Sequence, residues 1–147
     1  MRLVAALLVA MGAVTAVGCG GDDRVAWDGP SRPFPVTGTL PVDGFAEDVD
    51  AVDEPWERSV VGLATAYALP LVNDASDVHA EFVTSDPDGN AIVAVTLDVL
   101  DDSVRELRFV LRFDVITDTS FRVLDAVWLQ RCQTGRGHQG WSRVLCV

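Results

Sequence analysis

The chain contains no lysine, and only two histidines, three cysteines and one tyrosine in 147 residues. Without lysine there is no Gly-Lys-Ser/Thr phosphate loop. The eleven basic residues are all arginine and face 22 acidic ones, a net charge of −11. That excess repels nucleic acid and anionic lipid head groups, so neither is expected as a partner. His79 and His138 are the only imidazoles, and no Ser-His-Asp or Cys-His set is indicated around them. No two cysteines stand two residues apart, which removes the usual redox and zinc spacings. No catalytic residue, metal set or cofactor site is expected from these counts. No internal repeat is present either.

What is present is concentrated at the two ends. Arg2 precedes an apolar run from Leu3 to Val17, and Ala16-Val17-Gly18-Cys19 closes it with small residues. The run is too short to cross a bilayer comfortably, since about 20 apolar residues are needed. Residues 16–19 resemble the lipobox of bacterial lipoproteins, with Ala16 and Val17 departing from its commonest residues. The resemblance implies that residues 1–18 are a signal peptide removed before Cys19. It implies too that Cys19 carries the lipid anchoring the chain to the cell membrane, outside the cytoplasm. Ala16 and Gly18 also suit an ordinary signal peptidase, which would make the protein secreted. The chain from Cys19 onward carries ten arginines and 22 acidic residues, a net charge of −12.

Acylation of Cys19 leaves Cys132 and Cys146 as a pair, as expected of an exported chain. Their disulfide closes a loop of about 15 residues, worth on the order of 3 kcal/mol. His138 is the only other zinc ligand nearby in sequence, which makes a metal site the weaker reading.

Residues 19–52, rich in Gly, Pro and Asp, read as a tether, with room for a short strand over 34–40 and with Trp27 or Phe34 available to dock back. Seven acidic residues accumulate between Asp43 and Glu57 without the ligand spacing of a calcium loop. A single domain is expected over residues 53–147. Asp53 as N-cap, Pro55 in the first turn and Pro70 at the end predict one helix over 54–69. Its apolar stripe is Trp56, Val60, Leu63, Ala64 and Tyr67, continued by Leu71. Period-two alternation then predicts four strands over 78–85, 91–100, 104–115 and 121–131, separated by Asp/Gly/Asn/Ser turns. The class is α+β: one amphipathic helix on a curved antiparallel meander. In that order it resembles cystatin-like and NTF2-like folds, a likeness of architecture that rests on no motif.

Two segments stand out as candidate sites. The first is the glycine-rich loop 135–141, where Arg136, His138 and Trp141 are the candidate ligand or partner contacts. The second is Asp125, which shares strand parity with Phe121, Val123, Val127 and Leu129. Turned into an apolar pocket it would be a general acid or base, as in a small NTF2-like enzyme. Leu124, Ala126 and Trp128 hold the opposite parity, so the buried side is open at this point. Arg105, Arg108, Arg112 and Arg122 are expected to pair across strands with Asp98 or Glu81. Taken together, a non-catalytic binding or interaction module of the cell envelope is the first reading. Its partner would be an envelope protein or an apolar small molecule.

Overall fold

The computed structural model describes residues 34–50 and 53–147. The signal segment, Cys19 and Trp27 lie outside the described residues. The fold is α+β, with helices on one face of a five-stranded antiparallel sheet. The elements are β1 (Thr39–Leu40), α1 (Asp43–Asp50), α2 (Val60–Ala68), β2 (Ala75–Ser85), β3 (Ala91–Val99), β4 (Val104–Thr117) and β5 (Ser120–Cys132). The strand order is β1-β5-β4-β3-β2, so the four predicted strands form a meander and β1 adds beside β5.

The tether expected through residue 52 ends earlier. Phe34 is buried against Phe109 and Trp128, with ring centroids 5.6 and 5.4 Å away. β1 pairs Thr39 with Val127 and Leu40 with Ala126. α1 buries Phe45 edge-on against Tyr67, at 5.2 Å. Val42, Phe45 and Val49 recur at helical spacing and lie in or against the core, so the acidic stretch is amphipathic.

The predicted single helix is two pieces. Pro55–Arg58 forms one 3-10 turn, entered where the Glu54 N–H donates to Glu57 Oε1 at 2.9 Å. Ser59 then leaves helical geometry, with φ −147° and ψ 136°, and its Oγ accepts from the Gly62 N–H at 2.9 Å. A serine that takes this bond starts a helix rather than continuing one. The chain folds so tightly here that a Cβ at Gly62 would collide with the Trp56 carbonyl oxygen. α2 then runs on through a 3-10 turn, Leu69–Leu71, that contains Pro70.

α2 buries Leu63, Ala64, Tyr67 and Ala68 against the sheet. The Tyr67 hydroxyl donates to the Pro41 carbonyl at 2.7 Å, and burial pushes its phenol well above the usual range. The opposing sheet face is Val93, Val95 and Leu97 of β3 with Leu107, Phe109, Leu111 and Phe113 of β4. These are the alternate positions that the period-two pattern marks as apolar. At the β2–β3 turn, the Asn90 side-chain amide first, then the Asn90 and Asp88 backbone N–H groups, hold the Asp86 carboxyl below the usual carboxylate range.

Candidate functional site

β5 supplies the floor of the site, and its parity changes halfway along. Arg112 of β4 pairs with Asp125, but the next residue, Phe113, pairs with Val123. The extra residue is a bulge at Leu124 that switches which side chains face the core. Val123 is therefore buried before the bulge, and Ala126, Trp128, Gln130 and Cys132 after it. Asp125 consequently faces away from the helices. It lies 2.8 Å from Arg112 Nε and 2.6 Å from Arg112 Nη2, and that contact raises the guanidinium pKa. The expected apolar pocket does not surround it. The parity shared with Phe121 and Val123 is broken by the bulge between them.

On this outer face the arginines pair with carboxylates, though not always the expected ones. Arg108 reaches Glu81 at 3.2 Å across the width of β3. Arg112 also approaches Asp86, at 3.5 Å, and Arg122 pairs with Asp114 at 2.5 Å. Arg105 and Arg131 both lie 3.2 Å from Glu106, and none of these arginines is paired with Asp98. His79 is exposed on the same face, 3.8 Å from Glu81.

The C-terminal segment 133–147 is a strap held to β5. Cys132 and Cys146 form the expected disulfide, with Cα atoms 5.4 Å apart. Such a bond belongs to a protein of an oxidising, extracytoplasmic compartment. Gly137, at φ +138°, passes so near Cys132 Sγ that a Cβ there would crowd it. Ser142 exchanges backbone hydrogen bonds with Gln130, and Arg143 donates to the Thr37 carbonyl at 2.9 Å.

The three loop residues singled out in the sequence serve the strap differently. His138 places Nδ1 2.8 Å from the Gly140 carbonyl and Nε2 2.7 Å from the Val144 carbonyl, which ties the loop to itself. Trp141 lies over the outer face with Arg131 stacked at 4.2 Å and Arg108 at 5.5 Å. Arg136 is exposed, and its guanidinium makes no bond among the described residues. Cys132, His138 and Cys146 do approach one another, with candidate ligand atoms within 4.8 Å. Sulfurs joined in a disulfide are not thiolates, so this trio offers no metal set in the oxidised chain.

On the helix side, where β4 begins and β5 ends, the strap and the N-terminal segment leave a cleft of about 340 Å3. Phe34, Val104, Leu107, Trp128 and Leu145 give it apolar walls, and Asp101 and Gln130 are its polar members. Gln130 is the one buried polar side chain among the described residues, 3% exposed. Its Nε2 donates to the Val144 carbonyl at 2.8 Å, the same oxygen that His138 approaches. Its Oε1 accepts no hydrogen bond from the described residues but is open to solvent; the buried side-chain polar atom left without a partner among them is Arg131 Nε. Asp101 Oδ1 accepts from the Ser103 and Val104 N–H groups, shaping the turn at the rim. Sequence reasoning missed the cleft because Phe34, Leu107, Trp128 and Leu145 come from four distant stretches. Gln130, polar at a core parity after the bulge, was the one local signal.

Comparison with protein families, with characterised proteins and with solved structures yields no match.

Proposed function

We propose that this chain is a lipid-anchored extracytoplasmic binding module that takes a small apolar ligand in the cleft under its C-terminal strap. The observation that carries the reading is the cleft's lining. Five apolar side chains surround one amide whose nitrogen is fixed on the Val144 carbonyl and whose oxygen, open to solvent, is left to accept a hydrogen bond. A concave, largely apolar site with one or two fixed polar groups is the usual form of a small-molecule pocket. Its acceptor selects ligands bearing a hydroxyl or N–H beside an apolar body. The anchor rests on the lipobox resemblance at Cys19, and the disulfide fits the same destination. Asp125 lies outside the cleft and salt-bridged, so the module is read as non-catalytic.

The test is binding of an anilinonaphthalene sulfonate dye and of medium-chain alcohols to the full chain in detergent. Binding is followed by dye fluorescence and by native mass spectrometry. Saturable one-to-one binding is expected. Leu145→Glu should weaken it at least tenfold without moving the melting curve, since Leu145 is half exposed and borders the cleft. Absence of saturable binding by any probe, or binding indifferent to Leu145→Glu, overturns the reading.

A further inference from the structure

β2 is the long outer edge of the sheet, and its outward side is covered by no described strand. It is also the strand where the sequence pattern and the burial part company. Val78, Ala80 and Phe82 share the core face with Leu97, Val95 and Val93 opposite them. Yet Val78 is 39% and Phe82 53% exposed, because they lie at the margin of the helix layer. Irregularities between Ala75 and Asp77 and between Phe82 and Thr84 leave Asp77–Phe82 as the regular stretch.

We infer that β2 is a self-pairing edge that joins two copies of this chain antiparallel about a two-fold axis at Ala80. The sequence Val78-His79-Ala80-Glu81-Phe82 reads almost symmetrically about that point. In this register Val78 meets Phe82 of the second copy on the core face, covering both exposed apolar side chains. On the other face His79 meets Glu81 of the second copy, and this pair occurs twice. Moving the axis to His79 would place Asp77 against Glu81, and moving it to Glu81 would place two glutamates opposite each other. Like charges opposed across strands disfavour both. Odd registers would set core-face residues against outer-face ones. The Val78 N–H already has a side-chain partner, Asp77 Oδ1 at 2.9 Å, which places it off the β3 ladder. By alternation Ala80 and Phe82 also turn their backbone groups outward, and these three residues supply the ladder between copies. Asp77 releases Val78 on pairing. The result is an isologous contact in which both helix layers lie on one side of a continuous sheet.

The test uses the full chain carrying Ala80→Cys, treated with a short bis-maleimide in membranes. A band at twice the mass of the untreated monomer is expected. It should be absent in wild type and in Asn90→Cys, whose site lies at the far turn. Sedimentation of the detergent-solubilised chain gives the second readout. His79→Glu sets glutamates opposite each other and should weaken self-association at least tenfold. His79→Glu with Glu81→His restores the opposed pair and should restore association. The inference is overturned by a wild-type chain that remains monomeric at high concentration, by Asn90→Cys cross-linking as well as Ala80→Cys, or by failure of the double exchange to rescue.

Discussion

Trp128→Ala should destabilise the domain by about 3–5 kcal/mol, the usual range for truncating a buried large aromatic. Trp128 is 1% exposed and does three jobs at once. It packs against Phe34, its indole N–H donates to the Pro35 carbonyl at 2.8 Å, and its backbone N–H donates to the Gly38 carbonyl at 3.0 Å. Truncation therefore opens a cavity beside the cleft and removes one of the two hydrogen bonds to the Pro35 carbonyl, leaving the one from the Gly38 N–H. With whole-domain stabilities of about 5–15 kcal/mol, that loss takes a fifth or more of the total. Trp128→Phe separates the two effects: most of the ring stays and the hydrogen bond goes, for roughly 1 kcal/mol plus a smaller volume term. Urea midpoints by far-ultraviolet circular dichroism decide the matter. A loss below about 1 kcal/mol in the alanine variant would mean that the segment from Phe34 to Leu40 is not docked on β5.

The meander was legible because β3 and β4 alternate without interruption. Leu107, Phe109, Leu111 and Phe113 all landed on the buried face. Turn residues at 86–90 and 101–103 bounded the strands in the same way. β5 was legible as a strand but not as a surface. Its apolar residues change parity between Val123 and Ala126, and a single inserted residue at Leu124 is what that change means. β2 was legible as alternating, yet alternation says nothing about whether a helix reaches the strand. Ser59 was passed over because the residues around it keep helical spacing on both sides of a break. Only the pairing of a serine with Gly62 marks the new start. α1 was masked by its own carboxylates, although Phe45 and Val49 carry the spacing of a buried stripe. The cleft needed the tertiary fold, since no local pattern relates Phe34 to Leu145.

Removing the disulfide by Cys132→Ala with Cys146→Ala should lower stability by about 3 kcal/mol, from the loop-closure entropy returned to the unfolded chain. For a domain of this size that corresponds to roughly 10–15 °C in Tm. The structure adds a second, local consequence. Besides the disulfide, the strap is held to the sheet by the Gln130–Ser142 backbone pair, the Gln130 amide on Val144, the Cys132 N–H on the His138 carbonyl, the Gln133 N–H on the Ser103 carbonyl, Arg143 on Thr37 and Trp141 against Arg131 and Arg108. The Val147 N–H on the Arg136 carbonyl closes the strap on itself. Most of these bonds are at the surface, and each is worth only about 1 kcal/mol net. Without the covalent closure the strap should open far more readily than the sheet unfolds. Hydrogen exchange at the Ser142 and Val147 amides should then speed up by more than the global destabilisation requires, while Phe109 and Leu111 track global unfolding. Because Leu145 walls the cleft and Val144 anchors Gln130, dye binding should fall in step with that exchange. A cleft that still binds after the strap has opened would place the ligand on Phe34, Leu107 and Trp128 alone. A strap that stays protected would assign its closure to the hydrogen bonds and leave the disulfide a role in global stability only.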